Sequence, residues 1–216
     1  MREISESILQ DYQCGFRPGR GCRDCLWLVY QSLRIRRRHG LPTWAIALDF
    51  KAAFRTLSRE ALYRVLARPG CPRHFINVLK RLCTGAKFRG TVNGVPFEVT
   101  TASGVRTGDT AGPDLFNMAM AAVALIMRWP QHSAPQFYAH PYMSCTGVCR
   151  EAEGDLRFTV PAAIFADDST LLATSRQHAE QVVTEAIMVV KRLTGMDTHL
   201  STVPTHATPV TEAKLW

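Results

Sequence analysis

The chain has 216 residues, 46% of them hydrophobic and 20% charged, values of a folded globular domain that exclude a disordered tail or a fibrous repeat. Its net charge of +8 is unevenly spread: residues 1–100 hold 18 Lys/Arg against 7 Asp/Glu, and residues 101–216 hold 8 against 11. The basic half is therefore expected to face a polyanion, and the acidic half to hold metal or solvent.

Residues 3–11 read as a short helix, followed by a loop, Gln13 to Gly21, with three glycines and a proline. The spacing of Leu26, Val29, Tyr30 and Leu33 predicts a helix from about Arg23 to Arg38, with the Arg-rich end on the negative pole of its dipole. A strand is expected over 44–49. Ser58 caps a helix that ends before Pro69-Gly70, and Pro72 starts another that runs to about Thr84. Residues 86–101 read as a hairpin turning at Asn93-Gly94. A glycine-bounded loop, 104–109, leads to a helix opened by Pro113 and running to about Arg128. Its apolar run, Met118 to Met127, is too short to span a bilayer. Residues 130–150, with Pro130, Pro135 and Pro141 and no period, read as a loop or insertion. A second hairpin, a last helix from Gln177 to Leu193 capped by Ser175, and a polar tail complete the chain. Seven cysteines without a signal-peptide pattern point to reduced thiols in an intracellular protein of the cytoplasm or nucleus.

Two places carry chemistry. In Trp44-Ala45-Ile46-Ala47-Leu48-Asp49 alternation puts Asp49 on the face of Ala45 and Ala47, where small residues leave room for a ligand. In Phe165-Ala166-Asp167-Asp168 two acids sit side by side at a hairpin tip, an arrangement that calls for a cation. Neighbours in a strand point opposite ways, so one of this pair is expected to face Asp49; Asp167 is chosen, with Asp168 as second carboxylate. Phosphate loops, serine nucleophile elbows and His-Glu-x-x-His metal helices are absent from the sequence. Cys22 and Cys25 read as small buried thiols, and His132, His140, Cys145 and Cys149 have no standard zinc spacing.

Asp49-Phe50-Lys51-Ala52-Ala53-Phe54, then Gly104-Val105-Arg106-Thr107-Gly108-Asp109 with Leu115-Phe116-Asn117, then Phe165-Ala166-Asp167-Asp168 resemble motifs A, B and C of reverse transcriptases. The type is that of non-LTR retrotransposons and group II introns. Gly15-Phe16-Arg17-Pro18-Gly19-Arg20 resembles the fingers motif that precedes them, so the likeness runs from about residue 10 to 195. It implies an α+β polymerase palm, with an antiparallel sheet and packed helices, plus partial fingers. The expected divisions are fingers 1–43, palm 44–199 and tail 200–216. It implies an RNA-directed DNA polymerase working on an RNA template, a DNA primer and dNTPs, beside other domains of a retroelement protein and with no membrane. Asp49, Asp167 and Asp168 would hold two Mg²⁺ ions, or Mn²⁺ in their place, with the Phe50 carbonyl as a further ligand. Phe54, Arg106, Thr107 and Gly108 would surround the incoming nucleotide, and an aromatic ring at 54 would exclude a 2′-hydroxyl, which disfavours an RNA-dependent RNA polymerase. Arg17, Arg20, Arg34, Arg36, Arg37 and Arg38 are the expected nucleic-acid contacts.

The sequence also departs from the family pattern. Arg55 stands where an Asp is usual, Thr107 where motif B has Gln, and the motif D lysine is missing near Thr202. With no basic fingers segment before residue 10 and no thumb, the chain is expected to be partial and a weak polymerase. The alternative is a degenerate palm that only binds nucleic acid.

Overall fold

The structure, a computed structural model, describes residues 6–106, 108–127, 134–139 and 156–198. At its centre is a three-stranded antiparallel sheet of β1 (Trp44–Leu48), β7 (Asp168–Ala173) and β6 (Ala162–Phe165), in the order β1-β7-β6. Alternation along these strands gives the sheet two different faces. Trp44, Ile46, Leu48, Leu171 and Ile164 point to one side, into the main core, where α5 (Gly112–Met127) and α6 (Arg176–Thr194) pack. Most of α5 is buried, as a helix that is apolar nearly all round must be.

On the other face Ala45, Leu172 and Ala163 are covered by α1 (Cys22–Arg38) and by a two-stranded ribbon, β4 (Gln136–Ala139) with β5 (Leu156–Thr159). The ribbon corrects the expectation of a structureless segment over 130–150. Phe137, 1% exposed, is its anchor and stacks on Phe158 at 5.5 Å. Burying one such ring contributes about 1.5–3 kcal/mol, enough to order a short strand beside prolines. The His/Cys set, Thr107 and the tail after 198 lie outside the described residues.

The intervening elements follow the turn chemistry of the sequence. A short α2 (Ala53–Thr56) precedes α3 (Arg59–Ala67), whose Ser58 cap accepts from the Ala61 amide. α4 (Arg73–Cys83) begins after Pro72, and β2 (Lys87–Val92) pairs with β3 (Val95–Thr100) across Asn93-Gly94. Ser175 caps α6, its hydroxyl accepting from the His178 amide. Of the predicted first helix only residues 6–8 are helical among those described. No helix of the described residues is long and apolar enough to cross a membrane.

Candidate active site

β1 and β7 run antiparallel with Ala47 opposite Thr170 and Leu48 opposite Ser169. Asp49 follows the last residue of β1, and β7 begins at Asp168, two residues before Thr170. Asp167, expected to face Asp49, lies in the turn of the β6–β7 hairpin. The hairpin turn consists of Ala166 and Asp167, and β7 begins at Asp168, paired with Phe165. Asp168 is thus the first residue of β7, with Asp167 in the turn beside it.

That turn is held from behind. Ala166 has φ of 56°, and as it alone of the two turn residues is left-handed the pattern is that of a type II′ turn, stored in a non-glycine residue at about 1–3 kcal/mol. The fingers-like segment supports it: residues 12–14 run beside β6, the Ile164 amide donating to the Tyr12 carbonyl and the Cys14 amide to the Ile164 carbonyl, each at 2.8 Å. Gly15 then passes so close that a Cβ there would lie 2.3 Å from the Ala166 nitrogen. Asn117, buried in α5, donates its side-chain amide to the Gly15 carbonyl at 2.6 Å. A buried amide within an apolar helix needs a partner, which is the signal by which Asn117 stands out in the sequence.

Motifs A and B are joined in the same manner. The Val105 amide donates to the Phe54 carbonyl at 2.8 Å, and Gly104, with φ of +83°, lies where a Cβ would fall 2.5 Å from the Arg55 carbonyl oxygen. Phe54 stacks on Phe116 with ring centroids 4.4 Å apart, and Phe16 meets it edge-on at 6.0 Å. Phe16 also lies 6.3 Å from Phe165. One aromatic set therefore links all four motifs and fixes the ring at 54. The Phe50 side chain is buried, and its backbone forms a bridge with Thr198, so the chain after α6 returns beside motif A.

Beside the acids lies a groove of about 800 Å³ between α1 and the sheet. Asp168 and Thr170 line it on the sheet side, with Tyr30, Arg34, Arg37 and Arg38 on the helix side. Among the described residues no group of three or more His, Cys, Asp or Glu is placed to hold a metal ion. Asp168 is the carboxylate among the residues lining that groove.

Compared with known proteins, residues 1–201 match the family described as reverse transcriptase (RNA-dependent DNA polymerase). The chain belongs to the reverse transcriptase family. It is 34% identical over 112 residues to the Retrovirus-related Pol polyprotein from type-2 retrotransposable element R2DM of Drosophila melanogaster. That match covers 50% of this chain and 10% of the relative, so the chain spans a small part of that polyprotein. Among solved structures, telomerase from Candida albicans, in complex with a TWJ fragment of telomeric RNA, superposes with a TM-score of 0.55 at 12% identity. It covers 96% of this chain and 34% of that one. The likeness supports the α+β palm fold. The chain is thus a reverse transcriptase domain, of a family that uses divalent metal ions.

Three of the cations expected on nucleic acid are turned elsewhere in this reverse transcriptase domain. Arg17 is directed inward, its side chain 7% exposed, donating to the Glu6 carboxylate at 2.8 Å and to the Gln10 and Gln13 carbonyls at 2.8 and 2.9 Å. Arg36 is buried and donates to the Thr43 hydroxyl at 2.6 Å and the Pro42 carbonyl at 3.1 Å, closing the turn into β1. Arg20 pairs with Asp11 at 3.1 Å. Arg34, Arg37 and Arg38 remain exposed on the groove, and Arg106 and Gly108 are exposed in the motif B loop. Cys25 is buried as expected, its thiol pushed up to about 12 by burial and by the hydrogen bond with Cys14, whereas Cys22 is exposed.

Proposed function

We propose that this chain is a catalytic palm that copies RNA into DNA by adding deoxynucleotides to a primer 3′-hydroxyl. The observation that carries the reading is the register of β1 and β7, which supports Asp49 and Asp168 as a facing pair of carboxylates at the open end of one sheet face. Asp167, on the adjoining turn, and the Phe50 carbonyl would complete the ligand set for two Mg²⁺ ions. Bound there, the ions would lower the pKa of the primer hydroxyl and neutralise charge on the leaving pyrophosphate. The chain's own residues position the reactants. Phe54, clamped by Phe16 and Phe116, presents a rigid ring to the sugar and leaves no space for a 2′-hydroxyl. Arg106 and Gly108, in the loop stitched to α2, lie on the nucleotide side, and Thr107 between them is assigned there by its place in motif B. Arg34, Arg37 and Arg38 give the groove beside Asp168 a cationic rim for the phosphates of primer or template.

This reading takes an RNA template, a DNA primer and dNTPs as partners, further domains of a retroelement protein, and an intracellular site. We retain fingers 1–43 and palm 44–199 as its domain division. A second reading, a palm that binds nucleic acid without turnover, is favoured by Arg17 being held within the chain and by Arg55 in the place of an Asp. Primer extension on an RNA template decides between them, with Mg²⁺ or Mn²⁺ and with dNTPs or rNTPs. Extension confined to dNTPs and lost in both Asp49→Asn and Asp168→Asn, each by about 10²–10³ or more, is the expected result. Nucleic-acid binding with no extension by the wild-type chain would establish the second reading.

A further inference from the structure

Residues 51–100 hold 10 Lys/Arg against 2 Asp/Glu, a surplus equal to the net charge of the whole chain. One of the two acids, Glu98, is occupied by Lys87 and Arg89 on the β2–β3 hairpin. The other, Glu60, lines an open groove of about 1220 Å³ between α3, α4 and the base of that hairpin. Arg59, Arg64, Arg73 and Lys80 line it too, so four cations face one carboxylate. None of the residues lining this groove lines the one beside Asp168.

Arg59 sets the floor. Its guanidinium donates to the carbonyls of Gly104 at 2.9 Å, Cys83 at 2.9 Å and Thr101 at 2.8 Å, tying the end of α4, the exit of the hairpin and the motif B loop together. Arg64, Arg73 and Lys80 are exposed and, among the described residues, form no ion pair. Lys80 lies over the Tyr63 ring at 5.4 Å and is exposed to solvent. Arg73 and Lys80 are two helical turns apart on one face of α4. At 1.5 Å per residue that is roughly 10 Å along the helix axis. Unpaired cations on fixed helices along a groove of that length match a phosphodiester backbone better than an acidic peptide, whose charges recur less regularly.

We propose that this groove is a second nucleic-acid site, which holds a single-stranded run of RNA by its phosphates outside the polymerase cleft. The choice of RNA rests on the RNA-templated reading above; the groove itself does not. The test is fluorescence anisotropy of the full 216-residue chain with labelled single-stranded RNA, and with DNA of the same sequence, across a salt series. The variants are Arg64→Ala/Arg73→Ala/Lys80→Ala and, as a milder change at an exposed helix position, Lys80→Glu alone. Loss of three phosphate contacts lowers the slope of log affinity against log salt by about 2 and weakens RNA binding on the order of a hundredfold at ~50 mM salt. Lys80→Glu moves both in the same direction by a smaller amount. Extension on a short template that ends within the cleft stays at the wild-type rate. An unchanged slope in both variants overturns the proposal, as does a loss confined to DNA. If the wild-type chain extends no primer while the variants still lose RNA, the polymerase reading falls and the groove stands. Extension with an unchanged slope fells the groove alone.

Discussion

Replacing Gly15 by Ala tests whether the acidic turn is positioned from behind. The added Cβ would lie 2.3 Å from the Ala166 nitrogen, 3.1 Å from the Phe165 carbonyl carbon and 3.2 Å from the Ala166 Cα. All three are backbone atoms, so no side chain can rotate away, and ordinary contact near 3.4 Å requires the turn or the strand to move by about 1 Å. Such overpacking costs about 1–3 kcal/mol. The functional effect is larger, because Asp167 and Asp168 ride on the displaced turn while Asp49 is held by β1. A misplacement of about 1 Å at reacting groups costs on the order of 10²-fold in rate. Gly19→Ala is the matched reference: φ there is +68°, so Ala is strained, but nothing lies within 4 Å and the turn is untouched. The assays are urea unfolding and single-turnover primer extension, run on both variants. Both proteins should lose stability, and only Gly15→Ala should lose about two decades of extension rate. Equal extension rates at equal folded fraction would refute the coupling between Gly15 and the acids.

Phe54→Val should admit ribonucleotides, read as a fall in the ratio of dNTP to rNTP incorporation, and should also cost stability through the lost stack on Phe116. Arg17→Ala should lower the urea midpoint, by about 1–3 kcal/mol for the orphaned Gln10 and Gln13 carbonyls and the Glu6 carboxylate, with no change in the salt slope of RNA binding. A reduced slope would return Arg17 to the nucleic-acid surface. His178 is 6% exposed, neither ring nitrogen has a partner among the described residues, and burial lowers its pKa. The unfolded chain therefore binds the extra proton, so stability is complete above about pH 6.5 and falls as the pH drops below it. His178→Leu should flatten that part of the pH–stability curve measured by urea unfolding.

The parts of the fold written in local chemistry were legible. Strand alternation over 44–48, the Asn93-Gly94 turn, and the Ser58 and Ser175 caps each depend on a few adjacent residues, and each is found where expected. The features that escaped depend on partners far along the chain. β4 carries no period that its prolines do not mask, and it becomes a strand by pairing with residues 156–159. Nothing in Arg17 itself tells that Glu6 and two carbonyls will occupy it, nor in Arg36 that it will bond Thr43 rather than join its exposed neighbours. Which of Asp167 and Asp168 falls in the hairpin turn depends on a single residue of turn length, because one step in phase moves a side chain to the opposite face.

These long-range contacts also bear on how the four motifs work as a unit. The motifs touch one another: Gly15 to Ala166 and Val105 to Phe54 through backbone atoms, Phe16 to both Phe54 and Phe165 through rings, and Asn117 to Gly15 through its side-chain amide. A side-chain contact can relax around a substitution by changing rotamer, whereas a backbone contact transmits displacement. One departure from the family pattern, Arg55, falls at a position of a different kind. Arg55 is exposed and belongs to this joint only through its carbonyl, which accepts from the Ser103 hydroxyl at 2.9 Å and which any residue would supply. Substitution at such a position alters what the surface offers to a nucleotide while leaving the spacing of the acids untouched. Changes confined to positions of this class can therefore accumulate without unfolding the palm, and loss of turnover need not bring loss of the fold or of nucleic-acid binding.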